Sequence, residues 1–216
     1  MAEKAQSLGW SYMGVSDHSK SAAYANGLDE RRLQQQIDEI DSLNAKFNNF
    51  SILKGMEVDI LRDGALDLGE SMLKELDFVI GSVHSDFDMS EAEMTDRVCK
   101  ALDNKYLRII GHPTGRLLLD RDGFDINLEK VIDRAFKANR IIELNANPHR
   151  IDLDAAHARL LREKGVMTSI NPDAHSPKGL EDVEFGIHTA RRAGLTKADV
   201  LNTRPLSQVR KLLRQN

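Results

Sequence analysis

Apolar residues along the chain alternate between short continuous runs and longer stretches at helical spacing. The runs are "YMGVSDH" (12–18), "SILKGMEVDI" (51–60), "DFVIGSVH" (77–84), "LRIIGHP" (107–113), "RIIELNANP" (140–148) and "VMTSINPDAH" (166–175). Each is brief and apolar, which predicts a strand. Between them the spacing predicts helices. After "GLD", Leu33, Ile37, Ile40, Leu43 and Phe47 recur on one helical face. "SEAEMTDRVCKAL" (90–102) opens on Ser90 and Glu93, a capping-box pattern. "NLEKVIDRAFKAN" (127–139) and "DLDAAHARLLREKG" (152–165) follow, the second closed by Gly165. "TARRAG", "TKADVLN" and "PLSQVRKLLRQ" read as terminal helices, and "AEKAQSLG" as half a helix feeding the first strand. Strands separated by helices predict a parallel sheet in α/β architecture, closed as a barrel or open and doubly wound. A βα unit without its strand would begin as this chain does.

The strand ends carry the candidate chemistry. "GVSDH" ends at His18, "KGMEVD" carries Glu57, "IGSVHS" brings His84, "IIGHP" brings His112, and "NPDAH" supplies Asp173 and His175. In parallel α/β folds, sites are built at the C-terminal edge of the sheet. Capping is a poor explanation for five such ends on one edge. Histidine with Asp and Glu, and no thiolate, is the donor set of hydrolytic Zn, Mn or Fe centres. Such cations activate water and stabilise the attacking and leaving oxygens on phosphorus. Lys20, Arg116 and Arg150 lie close to these ends and are candidates for gripping a phosphate. Asn145 and Asn147 alternate on one strand, so they face one side and serve a ligand or close the barrel end. His149 sits near the edge, but a structural role fits it better. His157 reads as a helix surface residue and His188 as a late cap.

Composition narrows the picture. Of 216 residues, 41% are hydrophobic and 30% charged, as in ordinary globular proteins. Thirty basic residues against 34 acidic leave a net charge of −4, so any polyanion is gripped locally and not by the whole surface. Cys99 is the only cysteine, which rules out an internal disulfide and fits a cytoplasmic protein. No run approaches the length of a membrane span, and the N-terminus lacks a signal-peptide core. The glycine-rich phosphate loops and the GxSxG elbow are absent.

"SDHS", "GMEVDI", "SVHS", "GHPTGRLL", "NANPHRIDLD" and "NPDAHS" resemble the successive motifs of the PHP (polymerase and histidinol phosphatase) family. The longer runs "SDHSKSAAYANGLDERRLQQQIDEID", "GHPTGRLLLDRDGFDI" and "FGIHTARRAGLTKADVLNTR" are most similar to the C-terminal PHP domain of family X DNA polymerases. The resemblance spans nearly the whole chain. It implies one domain over 1–216, a distorted seven-stranded (β/α) barrel and a trinuclear metal centre. It also implies a metal-dependent phosphoesterase, in that family a 3′–5′ exonuclease with 3′-end processing of DNA. By motif match the metal ligands are His18, Glu57, His84, His112, Asp173 and His175. The catalytic group is Asp17, His18, Asp173 and His175, with Asp17 as a supporting partner.

One departure changes these expectations. The family opens on a strand bearing an HxH pair, followed by an Asp, and neither is present. The expectation is therefore a barrel lacking its first strand, a centre short of three ligands that holds one or two cations, and impaired activity. The open edge is expected to pair with another chain or to be covered by the N-terminal helix. A histidinol-phosphate-type phosphatase acting on another small phosphoester, and a non-catalytic scaffold module, are the rival readings.

Overall fold

The computed structural model describes residues 1–213. Six strands form one sheet: β1 (Tyr12–His18), β2 (Ser51–Asp59), β3 (Phe78–Ser82), β4 (Ile109–Ile110), β5 (Ile141–Asn145) and β6 (Thr168–Asn171). All neighbours are parallel and follow chain order, β1 to β6. The sheet curls into a half-barrel whose edges are β1 and β6, so six strands stand where the resemblance implied a seven-stranded family barrel. Eight α-helices accompany it among the described residues: α1 (Ala2–Ser7), α2 (Glu30–Asn44), α3 (Glu70–Leu73), α4 (Glu91–Ala101), α5 (Leu128–Ala138), α6 (Ala155–Glu163), α7 (Val183–Ala193) and α8 (Leu206–Leu213). None is long and apolar enough to cross a membrane.

Local chemistry sets the helix boundaries. Asp29 caps α2 by accepting from the Arg32 amide at 2.8 Å, and Asp154 caps α6 through two amides. Ser90 and Glu93 form the expected capping box at the start of α4. The left-handed Gly194 ends α7, where any side chain would be strained.

The two faces of the sheet bury different partners. The outer face, with Met56, Val58, Val79, Ile110 and Ile142, packs against α2, α4 and α5 through Leu33, Met94, Val98 and Ile132. The inner face, with Leu53, Phe78, Ile80, Ile109 and Ile141, is floored by Leu201, Val209 and Leu213. Gly14 and Gly55 line that interior because a Cβ at either would stand within 2.7 Å of the Phe78 ring. Outside the gap between the edges, Ala5 of α1 packs with Met13 of β1 and with Leu180. Inside it lies a cavity of about 1180 Å³ lined by β1, β6 and the 200–205 segment, reaching up to His18 and His112.

Two helix readings change. "TKADVLN" is no α-helix: Asp199 ties back to the Thr196 amide at 2.7 Å, Val200 bridges Thr168, and 201–203 form a 3₁₀ turn. The Asn202 side chain bonds both the amide and the carbonyl of Ile170, as a neighbouring strand would. Tertiary pairing with the β6 edge outweighs helix propensity here. Helix α7 begins at Val183, six residues before "TARRAG", so His188 lies in mid-helix and is no cap. Gly186 permits this, because a Cβ there would stand 2.6 Å from Ile170 and 2.7 Å from Ala146. The last residues of the "PLSQVRKLLRQ" reading, Arg214 and Gln215, lie outside the described residues.

Candidate metal centre

Strand register gathers the candidate ligands. In the β1–β2 pair His18 stands beside Glu57, and two residues on Asp59 stands beside Ser82 of β3, with His84 just beyond. One donor atom each from His18, Glu57 and His84 lie within 4.8 Å of one another. His112 joins them from the end of β4, its Nε2 2.9 Å from Glu57 Oε1. The imidazoles pack edge to face, with ring centroids 4.8 Å apart for His18–His84 and 5.1 Å for His84–His112.

The electrostatics of the group are those of a cation site. Burial alone would raise the Glu57 pKa. The hydrogen bond from His112, the approach of His84 to 3.4 Å, and the charge of both rings instead hold it well below the usual carboxylate range. Burial would lower His84, but the bond to Asp59 and the nearby Glu57 carboxylate raise it to about 9. His84 Nδ1 faces the Asp59 carboxylate, which can only accept, so Nε2 is turned toward Glu57. A carboxylate behind an imidazole fixes ring orientation in metal sites. Burial lowers His18, a shift that the charges of His84 and His112 reinforce and that of Glu57 opposes, and this favours the neutral, lone-pair-bearing form.

Three buried imidazole nitrogens, His18 Nδ1, His84 Nε2 and His112 Nδ1, have no hydrogen-bond partner among the described residues. Orphaned buried polar atoms are costly, and a divalent cation taking lone pairs from His18 and His84 would relieve two of them. The residues fit a metal.

Asp173 and His175 form the other wall of the mouth. His175 Nδ1 donates to the Asp173 carbonyl at 2.9 Å, and its ring is 6.4 Å from that of His18. Asn145 donates to Asp173 Oδ2 at 3.1 Å, and Arg150 Nε lies 3.5 Å from the same oxygen. Asp173 at φ +51 and His112 at φ +26 sit in left-handed backbone, a strain that clusters at functional sites.

The remaining sequence candidates divide. Arg116 donates to the Ile151 carbonyl, and Lys20 is exposed on the loop after β1. Asp17 alternates away from His18, is exposed and accepts from Gln36 of α2, so the structure does not bring it to the cluster. Asn147 donates its amide to Asn145 and shapes the loop.

Two residues escaped the sequence reading. Asp59 shares the Glu57 face, a period-two signal that was available in "GMEVDI". Glu143, 4% exposed, accepts from the His112 amide at 2.8 Å and from Asn171 at 2.7 Å, joining the ends of β4, β5 and β6. Burial pushes its carboxyl up to about 7. Its signal was an acid in the middle of an apolar run.

No protein-family model matches the chain. It is 46% identical over all 216 residues to the DNA polymerase/3′–5′ exonuclease PolX of Bacillus subtilis, and spans 38% of that protein's length. It is 33% identical over 171 residues to a probable phosphatase of Thermoanaerobacter sp. strain X514, covering 74% of this chain and 67% of the relative. Among solved structures, histidinol phosphate phosphatase from Lactococcus lactis, complexed with Zn, L-histidinol and phosphate, shares the fold. The TM-score is 0.60 at 14% identity, over 90% of this chain and 86% of that one. These strand-end ligands and relatives agree: the chain belongs to the PHP family of phosphoesterases.

Proposed function

We propose that this domain hydrolyses phosphoesters with the help of Zn, Mn or Fe, and that its substrate in the intact protein is the 3′ end of DNA. The convergence of His18, Glu57 and His84 with unsatisfied imidazole nitrogens carries the reading. His18, Glu57 and His84 would hold the cation, with His112, Asp173 and His175 completing the set. Bound there, it would supply Lewis acidity and lower the pKa of a water. The chain's own residues do the rest. Asp59 fixes the His84 ring, and Glu143 fixes the backbone that presents His112. His175, tied through Nδ1, presents Nε2 at the mouth, where it can bind a cation or pass a proton. Arg150 and Lys20 offer positive charge to the phosphate, and Arg116 braces the loop that carries Arg150.

The 216 residues contain no His-x-His pair, and we expect them to show weak activity by themselves. The test is Mn²⁺-dependent release of nucleotides from a 3′-ended oligonucleotide. The rate should rise when a segment bearing such a pair is supplied and fall roughly 10²–10³-fold in His84→Ala. The probable phosphatase relatives favour a second reading, a small-molecule phosphatase. Hydrolysis of histidinol phosphate without attack on the oligonucleotide would select it. A protein that retains no Zn, Mn or Fe after loading and dialysis would overturn both and leave the scaffold reading.

The open side of the sheet supports a further partner. The β1 edge adjoins the cavity, and an unpaired edge invites a strand. We expect a second copy, or an added strand-forming segment, to pair there.

A further inference from the structure

We infer that Tyr24 is an aromatic platform at the mouth of the centre, and that it holds the planar base of the nucleotide whose phosphate is cleaved. The inference rests on the phosphoesterase reading and adds the part of the substrate that the cluster itself cannot recognise. Tyr24 is 74% exposed, among the most exposed large apolar side chains of the protein. Its ring centroid nevertheless lies 6.0 Å from that of His18 and 6.3 Å from that of His84, tilted 58° and 64° to them. Exposing a ring beside a ligand cluster costs apolar hydration that nothing in the fold recovers, so a bound partner is what would recover it.

The loop that carries Tyr24 is built to hold it still. Leu28 donates to the His18 carbonyl at 2.7 Å and Ala22 to that of Ser19 at 3.0 Å. The Ser21 amide bonds Asp67 at 3.1 Å. Arg32 clamps the carbonyls of Asn26 and Gly27 at 3.0 and 2.9 Å. Gly27 seats so closely that a Cβ would lie 1.9 Å from the Ser19 carbonyl oxygen. The ring is thus presented on a short loop tied on both sides of Tyr24 and anchored to the strand that carries His18. Rigid presentation lowers the entropy cost of binding a flat group.

The chemistry of the occupant follows. A base hangs one sugar away from its phosphate, so a phosphate at the cluster brings the base to the rim where Tyr24 stands. Stacking on tyrosine accepts any base, because each has a π-face. That suits a site that must accept whichever nucleotide ends the strand.

The experiment uses the full chain loaded with Mn²⁺ and fluorescein-labelled oligonucleotides ending 3′ in a normal or an abasic nucleotide, with binding read by anisotropy. Wild type should prefer the base-bearing end. Tyr24→Leu should weaken that ligand by roughly 5- to 100-fold and leave the abasic one unchanged, while Tyr24→Phe keeps the preference. Equal weakening of both ligands in Tyr24→Leu, or no weakening, would overturn the platform and leave the phosphoesterase reading standing. If wild type binds neither ligand, the DNA 3′-end reading falls and the platform with it, while a small-molecule phosphoesterase stands. The side chain is exposed, so neither variant removes core packing.

Discussion

Asp152 shows how a single buried carboxylate can work against the fold. It is 2% exposed, accepts from the Thr114 amide at 3.3 Å through one oxygen, and leaves the other without a partner. Burial raises its pKa above the ordinary 3.8, against smaller opposing effects of His112, Arg150 and two amides. A carboxyl raised in the folded state binds more protons folded than unfolded, so it removes stability as pH rises from its ordinary value through its folded one. Asp152→Asn should therefore gain thermal stability relative to wild type on going from about pH 4 to about pH 7. Melting curves of both proteins across that range check the sign, and a difference independent of pH would refute it. At this scale the strand-end cluster of His18, Glu57, His84 and His112 was legible because each lies at or near the end of an apolar run. Glu143 and Asp59 were not, because their roles depend on which face of a strand is inner and on what the next strand brings alongside. Asp17 illustrates the reverse: adjacent in sequence to His18, it alternates onto the other face and meets Gln36 instead.

At the scale of the element, the inner face of β2 is set by Phe78. Its ring occupies the space above Gly14 and Gly55, where a Cβ would meet ring atoms at 2.7 and 2.2 Å. Gly55→Ala should destabilise the protein by about 1–3 kcal/mol through overpacking. Phe78→Leu in the same chain should recover part of that loss, and a double-mutant cycle by denaturant unfolding would measure the coupling. All six strands and the four central helices read correctly from periodicity and caps, since those signals are local. The 196–202 segment did not. Its conformation is chosen by Asn202 reaching the β6 edge and by Val200 bridging Thr168, contacts that join residues more than thirty positions apart. Helix α3, four residues long, is too short to leave a periodic trace.

For the molecule as a whole, the cavity of about 1180 Å³ between β1 and β6 is the dominant feature. It is an open cleft beside the β1 edge, and an edge strand there is free to pair with another chain. Sedimentation over a range of concentrations should show self-association. A strictly monomeric protein at all concentrations would count against strand pairing. The α/β class with a parallel sheet was legible from strand–helix alternation, which left a closed barrel and an open sheet both possible. The closure of the floor was not, because it depends on helix α8 returning beneath β2 to β5.

That strand order has a kinetic meaning. Every strand lies next to the one synthesised just before it, so each new βα unit can dock as it leaves the ribosome, with only one crossover to close. The floor is the exception. Arg108 beside β4 donates to the Leu212 carbonyl at 2.7 Å, and Tyr12 of β1 donates to the Arg204 carbonyl at 2.8 Å, contacts that span 104 and 192 residues. The growing sheet would hold its inner face bare until residues 201–213 have been made. In a cell, that interval is when the nascent chain would depend most on a chaperone.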